Sequence, residues 1–532
     1  MKQYTHIWLL VLLLMAAGQV AARIVNVSSA SAINKTWSAG DTLILANGSY
    51  NNMSLTLSGN GTAANPIVLR AATPGSVTLR GSSNITINGS YIEVNGICFT
   101  GTYTGSNHIV QFVTSSSHCR LTESAIDSYN PSSNTKDYKW VSLNGVENRV
   151  DHCYFAGKNH AGTLLVVWLK PGVIPKHHID NNYFGYRVAN LDSSGKELNG
   201  QEIMRIGDSS TSMLESQCVV ECNYFEHCDG EIEMISNKSC GNIYRSNTFY
   251  ACAGTLTLRH GNGCTVNGNW FLGTNKSASG GVRIIGEDHT VINNYFQDLE
   301  GTNYRAALCI VRGKPNSELN EYFQVKNAEV SNNTFVHCKE AFAVNFHSSS
   351  ECSLLAINTT IENNHVYNDA SHKSNKNINL AQSGGSITWR NNLMNAGKYT
   401  NYTPASPAVI TGKDARMAIV NTAIQMYEPM SGSALSSYKT TLPAVVVADI
   451  RGRQRPTSKL PGCSEITGTT IFDVPTAETS GPMWRHQIPT ALPETVMPTK
   501  VRKFINNGQL IITTIDPQSG QYVKYNSLGQ KL

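Results

Sequence analysis

The sequence predicts an all-β fold, a right-handed parallel β-helix with an N-terminal cap and a small C-terminal β module. Three observations predict it. A motif of an apolar residue, two variable positions, Asn, an aromatic or Thr, then Phe recurs. It reads IDNNYF ending at Phe184, VECNYF at Phe225, IYRSNTF at Phe249, VNGNWF at Phe271, VINNYF at Phe296 and VSNNTF at Phe335, with degenerate copies ending at Val366 and Met394. From Phe225 onward, successive copies are 24, 22 and 25 residues apart. The copies are short β-branched and aromatic runs broken by Gly and Asn, with no helical period. Such a unit cannot bury its own apolar face, so each copy becomes one coil of a stack. The motif Asn residues (Asn182, Asn223, Asn247, Asn269, Asn294, Asn333, Asn364 and Asn392) are expected at one corner. There Asn tolerates left-handed backbone, and its amides can bond from coil to coil. The Leu-x-x-Leu-x-Leu frame of leucine-rich repeats is absent.

The elements follow in order. Residues 1–22 hold one early lysine, an apolar run and the small-x-small end Val20-Ala21-Ala22, the pattern of a secretory signal cleaved before Arg23. No later apolar run reaches about 18 residues, so no membrane span is expected. AINKTWSAGDTLILANGSYNN reads as a short cap helix, then strand and turn, closing an open sheet edge. Residues 23–425 form the β-helix catalytic domain and 426–473 its closing segment. Residues 474–500, rich in Pro and Thr, read as a linker. Residues 501–532 carry two alternating runs, a small hairpin module.

Losing the signal removes Lys2 and lowers the net charge from +5 to +4. That is too mild for a nucleic-acid partner, and no long Lys/Arg run occurs. The thirteen cysteines are odd in number and lack zinc spacing, so buried free thiols are expected rather than a disulfide framework. A monomer is expected.

The stretch Asp229–Gly261 concentrates chemistry. Glu231 and Glu233 are two apart, which on a strand places both carboxylates on one face. Like charges so close call for a cation or a shared proton between them. Counted from the preceding motif Phe, Glu231, Glu233, Arg259 and Arg283 sit at offsets 6, 8, 10 and 12. All are even, so an unbroken register puts the four on one face of one sheet. Lys238 breaks parity and is expected to reach that face from a bend at Ser236-Asn237. His260 has the opposite parity to Arg259 and reads as an inward or edge residue.

At these residues the chain resembles polysaccharide lyase family six, which includes alginate lyases and chondroitinase B. The resemblance covers roughly Ala32 to Arg455 and lies in NGQEIMRIG (Asn199–Gly207), GEIEMISNKS (Gly230–Ser239), LTLRHGN (Leu256–Asn262) and GGVRIIGEDHTVINNYF (Gly280–Phe296). It implies a β-helix, a calcium ion and β-elimination. It further implies Asn199, Glu231 and Glu233 as calcium ligands, Lys238 as Brønsted base and Arg259 as Brønsted acid. Gln201 departs from the family, where Gly is common. The tail pieces NGQL and YNSLGQ resemble sorting modules of exported proteins in some Gram-negative bacteria. The expected location is therefore the periplasm or the outside of such a cell.

The residues fit that chemistry. Eliminating across C4–C5 of a uronate requires removal of the C5 proton beside a carboxylate, and Ca²⁺ held by hard oxygens offsets the charge that develops. Lys238 reads either as the base, neutral when it acts, or as a point charge for the substrate carboxylate. Arg259 would stabilise charge on O4 and the carboxylate. Arg283 is a bidentate anchor for a sugar carboxylate, with Arg205 and His260 as further substrate contacts. Glu202 would orient Asn199 or Lys238 from behind. The leading expectation is an exported, calcium-dependent alginate lyase acting on an acidic polysaccharide. A dermatan or chondroitin sulfate lyase on the same site is the alternative, and a pectinase-like hydrolase or a non-catalytic glycan-binding β-helix would be a different class.

Overall fold

The computed structural model describes residues 22–486 apart from Leu442 and Val445, and the strands Arg502–Asn506, Gln509–Ile515 and Tyr522–Tyr525. The signal segment 1–21 lies outside the described residues. Three parallel sheets of 14 strands each run the length of the molecule. The first begins at Ile24–Val27 and ends at Ile387–Arg390, the second runs from Gly48–Asn51 to Val409–Thr411, and the third from Thr36–Ser38 to Lys398–Thr400. Each turn of chain adds one strand to each sheet, so the expected β-helix is the fold. A single-turn helix, Ala30–Ile33, caps the start, with Ser29 Oγ accepting from the Ala32 N–H.

Motif residues stack as their spacing predicts. Phe184, Phe225, Phe249, Phe271, Phe296 and Phe335 pile ring on ring, with centroids 4.6–4.9 Å apart. Asn182 Nδ2 donates to Asn223 Oδ1 at 3.0 Å, and the same bond repeats through Asn247, Asn269, Asn294, Asn333 and Asn364 to Asn392. One detail differs. The left-handed residue is the one before each ladder Asn: Asn181, Cys222, Ser246, Gly268, Asn293, Asn332, Asn363 and Asn391 all have φ between 49° and 65°. The bend is made one position early, which frees the ladder amides to point inward, fully buried.

All thirteen cysteines are free, twelve of them buried. No described helix is long and apolar enough to cross a membrane.

The ends differ from expectation. Coil strands stop at Thr411 rather than near 425, and an antiparallel pair follows, Met417–Asn421 with Met426–Pro429. The chain then turns back along the outside of the stack. Gly462 N–H donates to Asn363 O, and Cys463 N–H to Thr334 Oγ1. Phe472 stacks on Trp270 at 5.5 Å, and Gly481 N–H reaches Asn181 O. Trp484 Nε1 donates to Glu123 O at 2.7 Å, and Arg485 lies 3.6 Å over the Tyr154 ring. Residues 474–486, expected as the start of a linker, are thus a strap held on the coils. Its Pro and Thr suit extended chain whose partners come from the sheet beside it. The terminal module has three antiparallel strands instead of one hairpin.

Candidate active site

The third sheet carries the groove. Its consecutive strands Met204–Ile206, Glu233–Lys238, Thr255–His260, Val282–Ile284 and Leu308–Val311 place Arg205, Ser236, Thr257, Arg283 and Cys309 in one cross-strand row. The coils approach closely here because of glycine. A Cβ on Gly207 (φ 85°) would sit 2.3 Å from Lys238 O, and one on Gly261 (φ 81°) 2.2 Å from Ser239 C.

The register is broken twice, and both breaks matter. Glu233 pairs with Thr255 but Ile235 with Leu256, so Met234 is an extra residue. That bulge exchanges the faces of everything after it. Ser236 and Lys238 thereby join Glu233 on the outer face, and the strand runs on through Ser236-Asn237 with no bend. The second break pairs Asn237 with Leu258 and Lys238 with His260, leaving Arg259 as the extra residue, thrust outward. Lys238 reaches the groove face as expected, but through the bulge at Met234 rather than a bend at Ser236-Asn237.

Glu233 stands at the centre. Arg283 Nη2 pairs with its Oε1, Arg259 Nε lies 3.5 Å from the same oxygen, and Ser236 Oγ donates to Oε2 at 2.6 Å. Burial pushes its carboxyl up, but Arg283, Arg259 and the Ser236 hydroxyl outweigh that and hold it below the usual range. The cations that the Glu-x-Glu spacing called for are, at Glu233, two guanidiniums.

Glu231 is different. It precedes the strand, is buried, and accepts from the Gln201 N–H at 2.9 Å. Burial first, then Glu202, with a further push from Glu233, raises its carboxyl to about 8. Glu202 is buried as well and accepts from Thr163 Oγ1 at 2.8 Å. Asn199 is exposed on the preceding loop and lines the same pocket as Glu231. Gln201 shapes that loop: its side chain bonds Asn190 N and O and Leu198 O at 2.7–3.0 Å. The Glu231 and Glu202 carboxyls, with the Asn199 amide oxygen lining the same pocket as Glu231, are a donor set of hard oxygens that suits Ca²⁺.

Lys238 is half-buried, and its amine makes no hydrogen bond or ion pair among the described residues. Arg259 is clamped from the far wall: Nη1 donates to Glu321 O at 2.7 Å, Nη2 to Asn320 O at 3.1 Å, and the guanidinium lies 4.1 Å over the Tyr322 ring. Arg283 lies 5.4 Å over Tyr304, and Arg205 5.5 Å over Trp168. No motif announces Tyr304 or Tyr322: the first lies in the short 3-10 turn Asn303–Arg305 and the second on a later loop. His260 is buried, its ring pushed down to about 3 by burial, Arg259 and Lys238. The second break pairs it with Lys238, which places the two on the same face of the sheet despite its parity. Arg187, also unforeseen, lies buried behind Glu231 and Glu202, donating to Gly162 O at 2.8 Å.

Loops wall the groove at both sheet edges. Arg305 Nη2 meets Glu197 Oε2 at 3.3 Å on one side, and Ser212 Oγ donates to Leu319 O at 3.1 Å on the other.

A parallel β-helix bearing carboxylates, arginines and one unpaired lysine on a single sheet defines the kind of protein this is. A sequence model described as Chondroitinase B matches residues 25–437, and the chain belongs to that family, polysaccharide lyase family six. Among solved structures it is similar to the family-six alginate lyase AlyGC, with 30% identity, a TM-score of 0.74, and coverage of 89% of this chain and 60% of that one. The chain thus spans about 60% of AlyGC's length. A mannuronic acid specific family-six lyase from human gut microbiota matches with 28% identity, a TM-score of 0.63, and coverage of 73% of this chain and 91% of that one. A family-six alginate lyase in complex with a trisaccharide shares the fold at 22% identity and a TM-score of 0.68, over 87% of this chain and 96% of that one. No curated protein matches.

Proposed function

We propose that this protein is an exported, calcium-dependent lyase that cleaves alginate by β-elimination. The observation that carries the reading is Lys238, an unpaired amine on the same outer face as Glu233 and beside Arg259. Its half-buried amine has no hydrogen-bond or ion-pair partner among the described residues, which leaves it free to act on a bound substrate. Lys238 takes the C5 proton of the uronate. Arg259, fixed by two carbonyls and a ring, stabilises charge on the C4 oxygen as that bond breaks, and Arg283 holds a sugar carboxylate. Asn199, Glu231 and Glu233 would hold the calcium, with Glu202 behind them and Glu233 shared with Arg283 and Arg259. The ion, when bound, offsets charge on the substrate carboxylate and acidifies the C5 proton. Alginate is favoured over other uronates because the solved relatives nearest 30% identity are described as acting on alginate or mannuronate.

The test follows ultraviolet absorbance of the C4–C5 double bond with polymannuronate, polyguluronate, mixed alginate and dermatan sulfate. Absorbance with alginates that is abolished by EGTA and restored by Ca²⁺ is expected. Reducing ends released without absorbance would mean hydrolysis. Turnover of dermatan sulfate alone would move the substrate to sulfated polymers.

A further inference from the structure

A second cluster lies at the corner where the second sheet passes to the third, in coils beyond the groove. His337 follows the strand Thr334–Val336, and Asp369 and His372 follow the strand His365–Tyr367 of the next coil. One ligand-type atom from each lies within 4.8 Å of the others. His337 Nε2 is 3.4 Å from Asp369 Oδ2, and His372 Nδ1 is 2.7 Å from Asp369 Oδ1. Bonds of about 2.0–2.1 Å in a tetrahedron hold ligand atoms roughly 3.3 Å apart. The first pair already has that separation.

Three features point to a ligand. His337 is only 5% exposed, and its Nε2 makes no hydrogen bond. An unpaired buried ring nitrogen is unfavourable, and an ion between it and Oδ2 would satisfy both atoms. Asp369 is presented for this purpose: Oδ1 takes the N–H groups of Ser371 and His372 and the Ser371 hydroxyl, at 2.7–3.1 Å, which turns Oδ2 toward His337. Finally, His337 Nδ1 faces Asp298 Oδ1 at 3.6 Å. A carboxylate behind the far ring nitrogen is the arrangement that orients a metal-bound imidazole. The His337 and His372 rings stack at 4.0 Å and 14°.

We propose that His337, Asp369 and His372 bind a borderline transition ion, with zinc as its representative, and that water completes the tetrahedron. Ring nitrogens are poor partners for Ca²⁺ and good ones for Zn²⁺, so this site is chemically distinct from the groove. Asp369 and His372 are 38% and 33% exposed on their side chains, which leaves room for that water. The ion would tie two coils together at a corner against which Tyr427 of the following segment packs, 5.3 Å from the His337 ring.

The experiment titrates the untagged, chelator-treated full chain with Zn²⁺ by calorimetry in saturating Ca²⁺. One equivalent binding well below about 100 µM is expected, together with a higher melting temperature. His372→Ala and Asp369→Asn should each weaken binding about tenfold or more while alginate turnover persists. Co²⁺ in the wild-type chain should give tetrahedral visible bands without sulfur-to-cobalt charge transfer, a readout that needs no variant. Absence of binding near about 100 µM, unchanged affinity in both variants, or a thiolate charge-transfer band would each overturn the proposal.

Discussion

Gln201 and Glu231 are joined at the edge of the groove: the Gln201 N–H donates to Glu231 Oε2 at 2.9 Å. Through its side chain the same residue holds Asn190 and Leu198, so the Asn199 loop and the carboxylate behind it move as one body. Gln201→Ala keeps the backbone bond and releases the loop. Apparent Ca²⁺ affinity should fall about tenfold, with turnover at saturating Ca²⁺ little changed. Calcium titration of activity measures both. An unchanged affinity would make the side chain irrelevant to the ion.

The raised carboxyl of Glu231 gives the metal-free protein a pH signature. Its folded value is about 8 against an ordinary 4.5, so between them the folded chain holds a proton that the unfolded chain has released. The stability from this group is fully present below about pH 4.5 and is lost as pH rises through about 8, a loss on the order of a few kcal/mol. Urea midpoints in EGTA should fall across that window, and Glu231→Gln should flatten the slope. Saturating Ca²⁺ should flatten it too.

Lys238→Ala should lower turnover by about 10²–10⁴ with an unchanged melting curve, because its amine supports no other group. The assay is the absorbance of unsaturated product. A variant within about tenfold of wild type would leave Lys238 as a substrate-binding charge only.

Tyr322→Leu removes the ring under Arg259 but leaves the Glu321 and Asn320 carbonyls. A cation–π contact of about 0.5–2 kcal/mol corresponds to a loss of a few-fold to about thirtyfold in kcat/KM. An equal loss in Arg259→Lys/Tyr322→Leu and Arg259→Lys would show that the ring acts through the guanidinium.

In the corner ladder, Asn247→Ala strands several groups at once. Asn247 donates to Val220 O and Asn269 Oδ1 and accepts from Asn223. With no water to replace them, the cost should be about 2–4 kcal/mol, read from denaturant midpoints. Asn247→Asp should be at least as costly, since a carboxylate cannot donate to Val220 O.

The stack was legible because it repeats: Phe184 to Phe335 and Asn182 to Asn392 advertise one coil after another, and each obeys a local rule of spacing. The strap was not, because Phe472 and Trp484 find their partners at Trp270 and Glu123, and no periodicity links such distant positions. In the groove, the charged residues were legible by type and block. Their facing was not, since a bulge at Met234 is a single inserted residue and leaves no mark in composition. Tyr322 and Tyr304 were invisible for the opposite reason: loops bring them to the arginines, and loop paths follow no alternation.

The strap also changes how the molecule should come apart. A solenoid held only by neighbouring coils can fray from either end, one turn at a time. Here a single length of chain is fastened at Asn363, Thr334, Trp270, Asn181 and Glu123, so it spans coils far apart in the stack like a batten nailed across planks. Losing a coil between Glu123 and Asn363 means detaching the batten, and that exposes the planks beneath it. The coils from Glu123 to Asn363 thereby acquire long-range cooperativity, and that stretch should melt as one event.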